Sequence, residues 1–154
     1  MVVGSIRDRL YWTLVNYVEE LSEHLNKVCR IRPKIFLRIN QDDLIGGSTA
    51  LSRRSMSTYI ELDVPHDYVL NRKNKIEITC MLIHEYCHYL DAIKMTKEER
   101  AENIDGYTSN LKAKRADEQR TWRATKRLAK LLGLWNKSFY KAARKCQYTA
   151  ALQF

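Results

Sequence analysis

MLIHEYCHYL, Met81 to Leu90, places two histidines four residues apart with Glu85 directly after the first. What this stretch does depends on the period of the residues around it. From about Lys75, apolar side chains recur at Ile76, Cys80, Ile83, Cys87 and Leu90, the spacing of a helix, and the run continues to about Lys94. On a helix, positions four apart share a face, so His84 and His88 can both address one ion. Glu85 leaves at a neighbouring angle, where it can reach a water beside the ion rather than the ion itself. H-E-x-x-H also arises by chance, so the rest of the chain must supply a third ligand and a cleft.

Upstream, Ile6, Leu10, Leu14, Tyr17, Val18, Leu21, Leu25 and Val28 recur at helical spacing and predict an amphipathic helix over residues 5–29, stopped before Pro33. KIFLRIN (residues 34–40) alternates as a strand. Gly46-Gly47 reads as a turn, residues 48–52 as a second short strand, and STYIELDV (residues 57–64) as a third, ended by Pro65. Downstream, Thr96 with Glu99 forms a capping box for a short helix, broken at Gly106. A long helix then runs to about Leu132, with Gly133 as its C-cap, and a last short one covers residues 136–146. One helix, a small and mainly antiparallel sheet, then three or four helices make an α+β domain. A chain of 154 residues fits a single domain, with its core over about 5–132 and a basic extension over 133–154. The ending QYTAALQF (residues 147–154) is uncharged and carries apolar groups, which either pack on the body or lie along the strand at 57–64.

Composition narrows the setting. No apolar run approaches the roughly 20 residues that span a bilayer, and charges at Arg7, Asp8 and Arg9 interrupt the start before a signal-type apolar region develops. The four cysteines are scattered, with no C-x-x-C pair, and read as reduced thiols of a cytoplasmic protein. The net charge of +9 is concentrated: residues 111–145 hold twelve of the 27 Lys and Arg but only Asp117 and Glu118 of the 18 acids. Such a block is either the solvated face of helices or a surface for weak, sequence-independent contact with nucleic acid.

A hydrolytic zinc site usually takes three protein ligands and leaves a fourth position open. A third histidine on the same segment would need Gly at 91 and His at 94; the chain has Asp91 and Lys94. His24 and His66 are the other histidines, and His66 is the reserve candidate. In RADEQRTWRATKRLAKLL, helical steps from Glu118 land on Thr121, Trp122, Thr125, Leu128, Ala129 and Leu132, the buried stripe. The same steps from Asp117 meet Arg120 and Arg127, the solvated side. A glutamate facing an apolar interior needs a partner: a zinc ion, or a nearby Lys or Arg.

With HEYCH on an apolar helix, STYIELDV before it and Glu118 in ADEQRTW after it, the chain resembles the gluzincin metallopeptidases, and most of all their minimal soluble members, the minigluzincins. The resemblance covers about residues 5–132 and implies a zincin-like fold, a Zn2+ cofactor and metal ligands His84, His88 and Glu118. It also implies hydrolysis of peptide bonds in a peptide or protein substrate, with Glu85 as general base and Tyr107 as candidate oxyanion donor. The strand at 57–64 would form the rim of the cleft, pairing with an extended substrate. Two other readings stay open. One is a peptidase acting near nucleic acid, similar to SprT-type or repressor-cleaving enzymes, with residues 111–145 as the contact. The other is a non-catalytic zinc-containing binding module.

Overall fold

The structure is a computed structural model that describes residues 6–40, 45–51, 58–102 and 111–152; side chains are described within 9–40, at 45, and within 58–102 and 112–147. The fold mixes helices with a small sheet, helix predominating. Helix α1 (Ile6–Cys29) buries Leu14, Val18 and Leu25 on one stripe, and Arg30, at a positive φ of 57°, turns the chain away before Pro33.

Three strands follow, β1 (Lys34–Asn40), β2 (Gly46–Leu51) and β3 (Thr58–Pro65), in the spatial order β1-β3-β2. β3 carries Ile60, Leu62 and Val64, all fully buried, so it takes the central place where both edges are paired. Its opposite face bears Glu61 and Asp63, which Arg38 of β1 meets at 3.3 and 3.6 Å. One face is apolar and one is charged, as in a sheet covered on a single side.

This order corrects three expectations. The sheet is mixed rather than mainly antiparallel: β2 runs antiparallel to β3, but β1 runs parallel to it, Leu37 opposite Leu62. The cause is that β3 inserts between β1 and β2 instead of adding to a meander. Gly46 and Gly47 are not a turn but the start of β2, opposite Asp63 and Leu62. Lastly, β3 cannot pair with a substrate, because both of its edges are occupied; β2 is an edge strand.

Helix α2 (Arg72–Ala92) starts at Asn71, whose Oδ1 accepts from the Asn74 N–H at 2.8 Å. Residues 77–87 are buried without a break, because α2 packs against α1, α4, α5, β2 and β3. A helix buried on all sides occupies the middle of a fold, and here that burial encloses Glu77, His84 and Glu85 with the apolar residues. Helical residues 97–102 (α3) follow, and Thr96 Oγ1 accepts from the Glu99 N–H at 3.1 Å, the forward arm of the expected capping box. Gly106 and Tyr107 lie outside the described residues.

Helix α4 (Leu111–Leu131) ends in a complete Schellman motif. Leu134 N–H donates to Ala129 O at 2.9 Å and Gly133 N–H to Lys130 O at 3.1 Å, with Gly133 at φ 72°. Helix α5 (Lys137–Leu152) is capped by Asn136 Oδ1 and extends beyond the expected residues 136–146. It places Phe139, Ala143 and Cys146 in the same core cluster as α2 and β3, so its first ten residues pack on the body; the side chains of residues 148–154 lie outside those described. No helix among the described residues is long and apolar enough to cross a membrane.

Candidate metal centre

His84 and His88 project from α2 towards Glu118 on α4, and the three side chains converge. His84 Nε2 lies 3.2 Å from Glu118 Oε2, His88 Nε2 lies 2.9 Å from Glu118 Oε1, and the two Nε2 atoms are 3.1 Å apart. Glu85, itself buried, joins the histidines in a group whose potential ligand atoms lie within 4.8 Å of one another, and which can hold a metal ion.

The far sides of the rings fix what the near sides are. Thr125 Oγ1 sits 3.2 Å from His84 Nδ1, and Thr121 Oγ1 sits 3.3 Å from His88 Nδ1. Each hydroxyl already donates its only hydrogen one turn back, Thr125 to Thr121 O at 2.7 Å and Thr121 to Asp117 O at 3.0 Å. Both hydroxyls can therefore only accept, and both imidazoles carry their hydrogen on Nδ1. With both rings neutral, that leaves two Nε2 lone pairs and a carboxylate, all acceptors, pointed at one another in a largely buried space. Positive charge between its members relieves such a cluster, either a proton on His88 or a metal ion. In tetrahedral coordination, with metal bonds of about 2.0–2.1 Å, neighbouring ligand atoms stand roughly 3.3 Å apart. The distances here are close to that, so the residues fit a metal ion.

Electrostatics agree. Burial acts to discharge His88, but the Glu118 hydrogen bond and the charges of Glu85, Glu118 and Asp117 outweigh it and push its pKa up to about 9. Burial likewise acts to protonate Glu118, yet its hydrogen bonds to His84 and His88 hold the carboxyl well below the usual range. The site holds positive charge strongly, and a metal ion is the more concentrated source of it. Trp122 closes the site by stacking on His84, centroids 3.9 Å apart and planes 23° from parallel.

The remaining candidates sit elsewhere. Asp117 is paired with Arg120 at 2.8 Å, on the side expected of it. His66 follows β3, with its N–H on Asn40 O, and His24 is exposed on α1; neither belongs to the group that can hold a metal. Cys146, a cysteine of α5, is buried with Cys80 in the core cluster, also outside that group. Tyr107 lies outside the described residues. The sequence places Thr121 and Thr125 on the buried stripe of Glu118, but their part in holding the histidine rings was overlooked. The signal for them was present: hydroxyls three and seven residues after Glu118, on the same buried stripe.

Compared with known proteins, the chain matches no family model, no curated protein and no solved structure.

Proposed function

We propose that the protein is a zinc-dependent metallopeptidase. One observation carries this reading: His84, His88 and Glu118 converge at metal-ligand spacing, with a second carboxylate, that of buried Glu85, beside them. Two imidazoles and one carboxylate form a donor set that suits Zn2+ and leaves a coordination position open. His84, His88 and Glu118 hold the ion, which when bound polarises a carbonyl and lowers the pKa of water towards about 7.

Glu85 does the proton work. Its carboxylate takes a proton from the attacking water and hands it to the leaving amine, so that water is added across the peptide bond. A site with purely structural zinc has no need of a second acid buried next to its first ligand. Among the described residues β2 has one unpaired edge, along which an extended peptide can add as a further strand.

The test is metal content measured alongside hydrolysis of casein or a broad peptide mixture. The zinc-loaded protein is expected to cleave; Glu85→Gln is expected to keep the zinc and lose cleavage, because an amide cannot accept the proton. Equal cleavage by both proteins, or none by either, defeats the peptidase reading. A second reading has one observation in its favour: the basic excess of residues 111–145 falls almost wholly on exposed positions of α4 and α5. It predicts weak nucleic-acid binding that fades as salt rises.

A further inference from the structure

Between α4 and α5 lies a cleft of about 490 Å³ that reaches the metal centre, for Glu118 and Thr125 are among its walls. Its floor is apolar and aromatic, made by Trp122, Trp135, Tyr140 and Ala143, and its rim carries Arg115, Arg123, Lys126 and Arg144. A cavity of this size holds one or two amino-acid side chains. The rim charges are unspent. Elsewhere on the same two helices Arg120 is neutralised by Asp117 and Lys145 by Glu77. Arg115, Arg123 and Arg144 have no ion pair among the described residues, and Lys126 leans only on the Trp135 ring, 5.2 Å from its centroid. Exposed cations gathered round an apolar floor, with Glu118 the one acid there, are complementary to a ligand that is apolar at its centre and anionic at its flanks.

We propose that this cleft docks an acidic segment of the peptide substrate, an aromatic or large aliphatic residue filling the floor and Asp or Glu residues on either side meeting the rim. The assignment rests on the peptidase reading, since it makes the cleft the approach to the metal. A peptide fits better than single-stranded nucleic acid, on the geometry of the rings. Stacking of bases needs successive open ring faces, whereas Trp122 is 9% exposed with a face against His84, and Trp135 has Lys126 over its ring.

Binding is measured separately from turnover, with zinc-loaded Glu85→Gln protein and two fluorescent peptides. One has Asp and Glu flanking a central Phe; the other has Asn and Gln in their places. The acidic peptide is expected to bind about tenfold more tightly. That preference should vanish in the double variant Arg123→Glu with Arg144→Glu, and persist in Lys27→Glu with Lys34→Glu, which makes the same charge change on exposed positions outside the cleft. Equal binding of the two peptides, or equal loss in both double variants, overturns the proposal. So does an oligonucleotide that binds more tightly than the acidic peptide and depends on Arg123 and Arg144. With wild-type protein the two readings separate: selective binding without cleavage counts against the peptidase and leaves the cleft, while cleavage of both peptides at equal kcat/KM counts against the cleft alone.

Discussion

A hydroxyl that has given its hydrogen to a carbonyl one turn back can only accept, and that is the state of Thr121 and Thr125 behind the two imidazoles. Replacing either by Val keeps the shape but leaves a buried Nδ1–H without a partner, so the ring is free to turn or change tautomer. Each substitution is expected to weaken zinc binding about 10–100-fold, measured by competition with a chromophoric chelator, and Thr125→Ser should restore most of it. Unchanged affinity in both Val variants would show that the rings are held by packing alone. The same proton inventory sets a pH dependence. In the metal-free protein the folded pKa of His88 stands near 9, above its ordinary 6.5. The stabilisation it brings is complete below pH 6.5 and is lost as pH rises through about 9. The lowered pKa of Glu118 is the same interaction seen from its partner and adds nothing further. Zinc must displace that proton, so uptake at pH 7 should release close to one proton per ion from His88. Calorimetry in buffers of different ionisation enthalpy reads this directly, and no buffer dependence would contradict it. His84, Glu85 and His88 were legible in the sequence because they are contiguous, and Glu118 because a carboxylate on an apolar stripe is conspicuous. The threonines were not, since a buried Thr satisfies itself on its own helix and its sequence looks the same whether or not it also holds a ring.

At the scale of elements, the helices were readable and the sheet only partly so. Period 3.6 is a local property, and α1, α2 and α4 follow it. Strand order depends on which strand is apolar enough to be enclosed on both edges, a comparison across the sheet. Ile60, Leu62 and Val64 win it over Ile35, Leu37 and Ile39, of which Ile39 is 45% exposed. Nothing in residues 34–40 or 46–51 announces that they will sit on opposite sides of β3. The end of α4 shows local chemistry at its most legible: Gly133 was expected as a C-cap and closes a Schellman motif at φ 72°. An added Cβ there meets nothing within 4 Å, so Gly133→Ala tests the backbone term alone. The left-handed conformation costs an L-residue about 1–2 kcal/mol, and the substitution should lower the melting temperature by roughly 2–8 °C without changing zinc content. A larger fall, or lost zinc, would mean that α4 shifts and carries Glu118 with it.

For the molecule as a whole, the centre joins two helices that are distant in sequence, α2 through its histidines and α4 through Glu118. An ion bound by the folded state alone stabilises it by about 4 kcal/mol at a thousandfold excess over Kd. Chelation should therefore lower the melting temperature of the wild type and have little effect on Glu118→Ala, whose site has lost its α4 ligand. The C-terminal helix makes a contribution of a different kind. Ending the chain at Gly133 removes Phe139, Ala143 and Cys146 from the core and uncovers Cys80, which is otherwise fully buried. It also deprives the buried Glu77 carboxylate of Lys145, its partner at 3.0 Å. Loss of the Phe burial costs about 1.5–3 kcal/mol, and stranding a buried charge costs about 3–5 kcal/mol more. Together these rival the stability of an ordinary domain, about 5–15 kcal/mol, and exceed what zinc can return. The truncated chain is expected to lose cooperative thermal unfolding with zinc present or absent, followed by circular dichroism. A truncation that still melts cooperatively would show α5 to be a cover on a self-sufficient core, and its removal should then open the cleft beside Glu118 to any peptide, acidic or not.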